Sequence, residues 1–295
     1  MGRIFQRISF KVNSLNNMSG DQKYIYELFN LGERVAVVTG GMGRFGTEDA
    51  KILLKANARV AIFDIADEPN EELAGLAKDN LLRFYTVDVT KEEQVKEAVS
   101  KIEKEWDAPS ILVNNAGWRA SPNEVSRASV PFQEYPMDVW DEVFRINTTG
   151  AAICAKVVGG RLIERKKPGV IINIASHYAL VSPDQRIYAY REAKGKGRFV
   201  KDASYSASKA ALIAMTRDLA TQWAPYGIRV VALAPGGAFN SKSDQEFVEQ
   251  YNLRVPLGRM ARVDEYNAAI LFLASDASSY MTGSTLVMDG GWTAW

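Results

Sequence analysis

The 295 residues are 47% apolar and 24% charged, close to the average of folded globular chains, which excludes disordered, collagen-like and disulfide-scaffold proteins. Thirty-six Lys and Arg against 35 Asp and Glu leave a net charge of +1, so no global field draws the chain to nucleic acid or to an anionic membrane, and neither is expected as a partner. The single cysteine (Cys154) excludes an internal disulfide and suits a reducing, cytoplasmic setting; the single histidine (His177) argues against a His/Cys zinc site, so no metal is expected.

Residues 1–29 read as an N-terminal extension, disordered or loosely attached. Its first 17 residues carry Arg3, Arg7 and Lys11 and no acid, a composition shared by disordered tails and transit peptides. No apolar run reaches the roughly 18 residues of a membrane helix. From Arg34 onward, short β-branched runs alternate with helical periods. Strands are expected at Arg34–Thr39, Arg59–Asp64, Leu82–Thr86, Ile111–Asn114, Val170–Ile174, Arg229–Leu233 and Leu286–Met288. Helices are expected at Thr47–Lys55, Glu71–Ala77, Lys91–Lys104, Met137–Arg165, Tyr205–Ala224 and Val263–Ala274. Strand–helix alternation implies right-handed crossovers and a parallel sheet covered on both faces. It runs unbroken from 34 to 291, so residues 30–295 are read as one α/β domain, a doubly wound sheet of about seven strands. Two stretches interrupt it, a loop at 117–136 and a polar, basic insertion at 182–203. Long loops at the carboxyl ends of parallel strands usually serve ligands.

Residues of chemical interest fall at those strand ends. Gly40, Gly41, Gly43, Arg44, Phe45 and Gly46 form a strand-to-helix turn in which backbone N–H groups and a helix dipole can meet a pyrophosphate. Asp64 closes the second strand, where a carboxylate can accept both hydroxyls of an adenine ribose and repel a 2′-phosphate. Asp88-Val89 follows the third strand; Asn114-Asn115-Ala116-Gly117 ends the fourth. Each of these also reads as plain turn or cap chemistry. Ser176 ends the fifth strand, and Tyr205 and Lys209 share a helix face at i, i+4. An ammonium beside a phenol favours phenolate, and a nearby serine hydroxyl can hold a substrate oxygen. A second Tyr-x-x-x-Lys, Tyr190 to Lys194, is followed by Gly195 and Gly197, which oppose a helix; the copy at 205 is followed by an apolar helical run and is preferred.

Taken with Asn147, Pro235-Gly236 and Asp289-Gly290-Gly291, these motifs resemble the short-chain dehydrogenase/reductase family over about residues 30–293. The resemblance implies a Rossmann fold and a catalytic set of Asn147, Ser176, Tyr205 and Lys209. It also implies a dinucleotide lying along the glycine turn, Asp64, Asp88, Val89, Asn115 to Gly117, Tyr205, Lys209, Pro235, Gly236 and Ala238. A homotetramer or homodimer built partly on the helices at 137–165 and 205–224 is implied too. Three departures stand out. The family's middle glycine falls on Arg44. The threonine expected after Pro-Gly is absent, leaving Asn240 or Ser241 to substitute. Ser176 and Tyr205 lie 29 residues apart, farther than is usual, so the extra residues must loop out.

Within that insertion, residues 184–202 hold six bases and three acids, with Tyr188 and Tyr190 interleaved. One reading is recognition of an anionic, hydroxyl-rich substrate by Arg186 and Arg191, with Tyr188 packing on a sugar face; the other is a solvated or intersubunit loop. His177, Trp118 and Arg119 are further substrate-facing candidates. The stretch from Arg254 to Trp295 is similar to a carbohydrate- or polyol-oxidising branch, gluconate 5-dehydrogenase-like enzymes. The expected activity is NAD-dependent interconversion of a secondary alcohol and a ketone on a sugar acid, sugar or polyol. An NADPH-dependent carbonyl reductase using Arg44 and a non-catalytic nucleotide sensor are the alternatives.

Overall fold

The computed structural model describes residues 18–77, 80–118 and 128–295. Its framework is seven parallel strands: β1 (Val35–Thr39), β2 (Arg59–Asp64), β3 (Leu82–Thr86), β4 (Ile111–Asn114), β5 (Gly169–Ile174), β6 (Ile228–Pro235) and β7 (Thr285–Met288). They lie in the order β3-β2-β1-β4-β5-β6-β7. The helices are α1 (Gly20–Phe29), α2 (Arg44–Lys55), α3 (Glu71–Leu76), α4 (Glu92–Glu105), α5 (Met137–Phe144), α6 (Ala151–Glu164), α7 (Tyr190–Ala193), α8 (Ala203–Trp223), α9 (Gln245–Asn252) and α10 (Asn267–Ala274).

Every residue of β1 is buried because both faces of the sheet are covered. Its side chains divide with a period of two: Ala36 and Val38 join one core with Leu53, Ile270 and Leu273 from α2 and α10. Val35 and Val37 join the other, with Val99, Val158 and Ala220 from α4, α6 and α8. In α4 the buried Val95, Ala98, Val99 and Ile102 form one stripe; the opposite face carries Lys96–Glu92 and Lys101–Glu97 pairs. Cys154 is buried in the second core, where desolvation pushes its thiol up to about 12.

Three stretches differ from the sequence reading. The segment expected to be loose at 18–29 carries α1, started by a capping box in which Ser19 and Gln22 bond reciprocally, with Asn57 Nδ2 donating to Tyr26 Oη at 3.1 Å; residues 1–17 lie outside the described residues. The helix expected over 137–165 is broken by a π-helical turn, Arg145–Gly150. Residues 245–252, left without an element, form α9, capped by Asp244. No helix among the described residues is long and apolar enough to cross a membrane.

Candidate active site

The carboxyl ends of β1, β2, β4, β5 and β6 bring the motifs together. Gly40 has φ +61°, and a β-carbon there would stand 2.8 Å from Ala116 Cα. The β4 end therefore crosses tightly over the glycine turn and admits only glycine. Asn115 ties the crossing by donating to the Thr39 and Gly40 carbonyls at 3.0 Å. Thr39, which the sequence reading passed over, accepts from the Asn115 and Ala116 N–H groups through its hydroxyl. α2 starts at Arg44 from a Gly43 cap that supplies no side-chain acceptor, so the N–H groups of Phe45 and Gly46 in its first turn have no partner within the helix and point to where a ligand could sit. The Arg44 guanidinium instead reaches across to the Phe239 carbonyl beyond β6.

The two oxygens of Asp64 accept from Met42 N–H at 2.9 Å and Ala66 N–H at 3.2 Å. A carboxylate has about four lone-pair sites, so each oxygen keeps one for a further donor. Asp88 closes a local turn onto Thr90, while Val89 is buried against Gly150 of the π-helical turn. At β6, Pro235 and Gly236 are fixed by His177 and Tyr266: His177 Nδ1 donates to the Pro235 carbonyl at 3.1 Å and Tyr266 Oη to the Gly236 carbonyl at 3.1 Å. Gly237 N–H donates to Tyr251 Oη, and Ala238 pairs with Ala261. Asn240 Oδ1 is taken by Lys242 N–H in a local turn.

Lys209 and Asn147 converge at the end of β4. A β-carbon on Gly117 would lie 3.4 Å from Asn147 Oδ1 and 3.5 Å from Lys209 Nζ. The fully buried Asn147 spends both amide N–H groups, on Trp118 O and Ser208 Oγ, and its oxygen accepts from Trp118 N–H at 2.6 Å. Lys209 Nζ donates to the Ile174 carbonyl at 2.6 Å and stands 6.0 Å from the centre of the Tyr205 ring. Burial lowers its ammonium to about 8. Ser176 caps the turn after β5, its hydroxyl accepting from Tyr178 N–H. The second Tyr-x-x-x-Lys lies elsewhere: Tyr190 opens the one-turn α7 and Lys194 pairs with Glu246.

A model of the short chain dehydrogenases matches residues 34–252. The chain belongs to this family. It is a dehydrogenase acting on CH–OH groups. It is 30% identical over 269 residues to the NAD-dependent glycerol dehydrogenase of Listeria innocua, covering 90% of this chain and 96% of that one. A short chain dehydrogenase from Leptospira borgpetersenii with bound NAD+ superposes with TM-score 0.78 at 30% identity, covering 91% of this chain and 95% of the other. A gluconate 5-dehydrogenase from Burkholderia cenocepacia in complex with NADP and tartrate gives 0.79 at 30%, covering 92% and 99%.

Short-chain dehydrogenases use NAD(P), and the residues present fit a dinucleotide: a glycine cradle that a β-carbon would fill, an uncapped helix start and a carboxylate with spare lone pairs. The substrate candidates fare differently. Trp118 is half-buried beside Asn147; Arg119 lies outside the described residues. His177 does not face an open cleft. It is buried between Tyr178 and Trp292, with ring centres 4.0 and 5.3 Å away, and desolvation lowers it to about 4. Tyr188 is unavailable to a sugar, being buried and stacked on Phe247 and Phe199. The insertion folds onto α9 and the carboxyl-terminal Trp292 through Ile187, Tyr188 and Phe199. Most of its bases find partners within the fold: Arg186 grips Asp184 at 2.8 and 3.0 Å, Lys196 pairs with Asp244, and Arg191 donates to the Lys196 carbonyl and lies over the Phe199 ring. What composition hid was the destination, since Asp244, Glu246 and the apolar face of α9 lie more than 40 residues downstream.

Proposed function

We propose that this dehydrogenase interconverts a secondary alcohol and a ketone on a polyol or sugar, with NAD as its cofactor. The carrying observation is the convergence of Lys209 and Asn147 at Gly117, with the Tyr205 ring 6.0 Å from Lys209 Nζ, on the strand edge that also holds Asp64. When bound, the nicotinamide accepts or supplies the hydride. The chain's own residues supply the rest. Ser176 Oγ holds the substrate oxygen, and Tyr205 Oη takes or returns its proton. The Lys209 ammonium favours the phenolate and keeps two N–H groups beyond its bond to Ile174, enough for the nicotinamide ribose. Asn147 Oδ1 faces the same point and can accept from a relay water.

Asp64 supports NAD over NADP by the charge and lone-pair argument above. Because Arg186 and Arg191, the bases expected to grip a carboxylate, are engaged within the fold, a neutral polyol is favoured over a sugar acid, and the glycerol dehydrogenase relative points the same way. An apolar groove between α6 and α8, lined by Ile163, Met215, Leu219 and Trp223, supports the expected homotetramer or homodimer, which light scattering on the purified chain would test. The function is tested by supplying NAD or NADP with a panel of polyols, sugars and sugar acids and following reduced nicotinamide. Reduction of NAD by a polyol is expected; turnover with sugar acids alone, or with NADP alone, would overturn the reading.

A further inference from the structure

The insertion ends on Lys201-Asp202, and both side chains are buried beside Tyr205. The Lys201 and Asp202 side chains are 7% and 1% exposed and pair at 3.3 Å. Lys201 Nζ stands 4.6 Å from the centre of the Tyr205 ring, closer than Lys209 at 6.0 Å. The main chain at Lys201 is fixed from the other end of the insertion: its N–H donates to Gln185 Oε1 at 2.9 Å, and Gln185 Nε2 donates to its carbonyl at 3.1 Å. Asp202 caps α8, its Oδ1 accepting from Tyr205 N–H at 2.8 Å and Ser204 Oγ at 2.9 Å. Ser204 Oγ in turn lies 2.9 Å from Tyr135 Oη.

Burying an ammonium is costly, and a lysine at a loop end can normally turn to water instead. Here the ammonium is held between the Asp202 carboxylate and the face of Tyr205, the proposed acid and base. We propose that Lys201 is a positioning residue that acts through Tyr205, a second cation favouring the phenolate and delivered to the site by the insertion. The inference rests on the proposed role of Tyr205. A cation over a phenol interacts with the ring quadrupole in the neutral form and with a full charge in the phenolate, so the ionised form gains more. Among the described residues, Lys209, Asp202 and Tyr178 also stand against Tyr205. Lys209 acts in the same direction. Asp202 opposes, but its Oδ1 accepts from two donors, its Oδ2 faces Lys201, and the helix N-terminus offsets its charge. Tyr178 packs in the same cluster, and burial holds its phenol neutral through the working range.

The test is the pH midpoint of Tyr205 ionisation in the full chain, measured in two ways. One is the acidic limb of kcat/KM for the alcohol oxidised fastest in the panel. The other needs no substrate: the phenolate absorbance of the cofactor-free protein, minus that of the same protein carrying Tyr205→Phe. Lys201→Met and Lys201→Gln should raise both midpoints by about 0.5–1 pH unit, and Lys201→Arg, which keeps the charge, should move them by less than about 0.3. Gln retains a donor toward Asp202 and serves if the Met variant folds poorly. Unmoved midpoints in a folded charge-free variant, or an equal shift with Arg, would overturn the proposal. Normal turnover by Tyr205→Phe would instead sink the assignment of Tyr205, which the absorbance titration does not depend on.

Discussion

Lys209 Nζ donates to the main-chain oxygen of Ile174 at 2.6 Å, which pins the start of α8 to the carboxyl end of β5. The bond spans 35 residues and includes the whole insertion between its ends. Ser176 follows Ile174 by two residues and Tyr205 precedes Lys209 by four, so the extra residues leave and return between two points that Lys209 holds together. The buried face of α8, Ser204, Ser208, Lys209, Leu212 and Thr216, recurs at helical spacing and sets the orientation of the helix.

Tyr205→Phe preserves the ring and removes the proton-transfer group. We expect kcat/KM to fall by roughly 10²- to 10⁴-fold with dinucleotide affinity retained, read by steady-state kinetics alongside a fluorescence titration with NADH. Tyr190→Phe should retain activity, because Tyr190 sits in α7 beside Asp244. The reverse pattern would show that the other Tyr-x-x-x-Lys is the working one.

Asp64→Ala should erase most of the discrimination between NAD and NADP. Wild type should favour NAD in kcat/KM by at least about tenfold, one lost charge-assisted bond being worth about 1.5–3 kcal/mol. Wild-type preference for NADP would promote Arg44, which already crosses the cleft to Phe239, to a phosphate ligand.

Local patterns carried most of the fold and supplied the residues on which the proposed function rests. Arg59–Asp64, Leu82–Thr86 and Ile111–Asn114 are observed at their expected bounds: the first and last are buried apolar runs inside the sheet, and the second is a half-buried edge strand rich in aromatic residues. The π-helical turn at Asn147 was illegible, since Met137–Arg165 keeps a helical period and the extra residue is absorbed by packing of Gly150 on Val89. The reading of the insertion failed for a different reason. Its charge was visible, but whether a base faces a ligand or a distant acid depends on long-range contacts such as Lys196 with Asp244. Asp202 could have been found, as an aspartate three residues before the Tyr205 N–H it caps.

The insertion should act as a packed structural element. Ile187 is fully buried against aromatic neighbours, so Ile187→Ala should cost about 2–5 kcal/mol in denaturant unfolding. Arg186→Ala should leave the denaturant midpoint nearly unchanged, since the Arg186 side chain is 79% exposed, and KM for a polyol should stay the same. A tenfold rise in KM for a sugar acid would restore a substrate-binding role for Arg186.

His177 sets a pH limit on stability. Its Nδ1 meets a carbonyl, which can only accept, so Nδ1 carries a hydrogen, and burial keeps the ring in its neutral form. Burial lowers the folded-state value to about 4 from the ordinary 6.5, with the Pro235 bond and Asp289 opposing. The unfolded chain therefore binds a proton near pH 6.5, while the folded chain resists until about 4. Stability contributed by the neutral ring is present above pH 6.5 and is lost as pH falls through that window. Between pH 7 and 4.5 the loss from this one group should be on the order of 2–3 kcal/mol. His177→Asn keeps a donor for the Pro235 carbonyl but has no titrating ring. It should be less stable than wild type at pH 7, because it leaves space beside Tyr178 and Trp292. The gap should narrow toward pH 4.5. Unfolding free energies of the two proteins, measured in denaturant across that range, provide the comparison. Other carboxylates contribute equally to both and cancel in the difference. Parallel curves would mean that His177 charges in the folded protein as readily as in the unfolded chain, which its enclosure in the aromatic cluster does not allow.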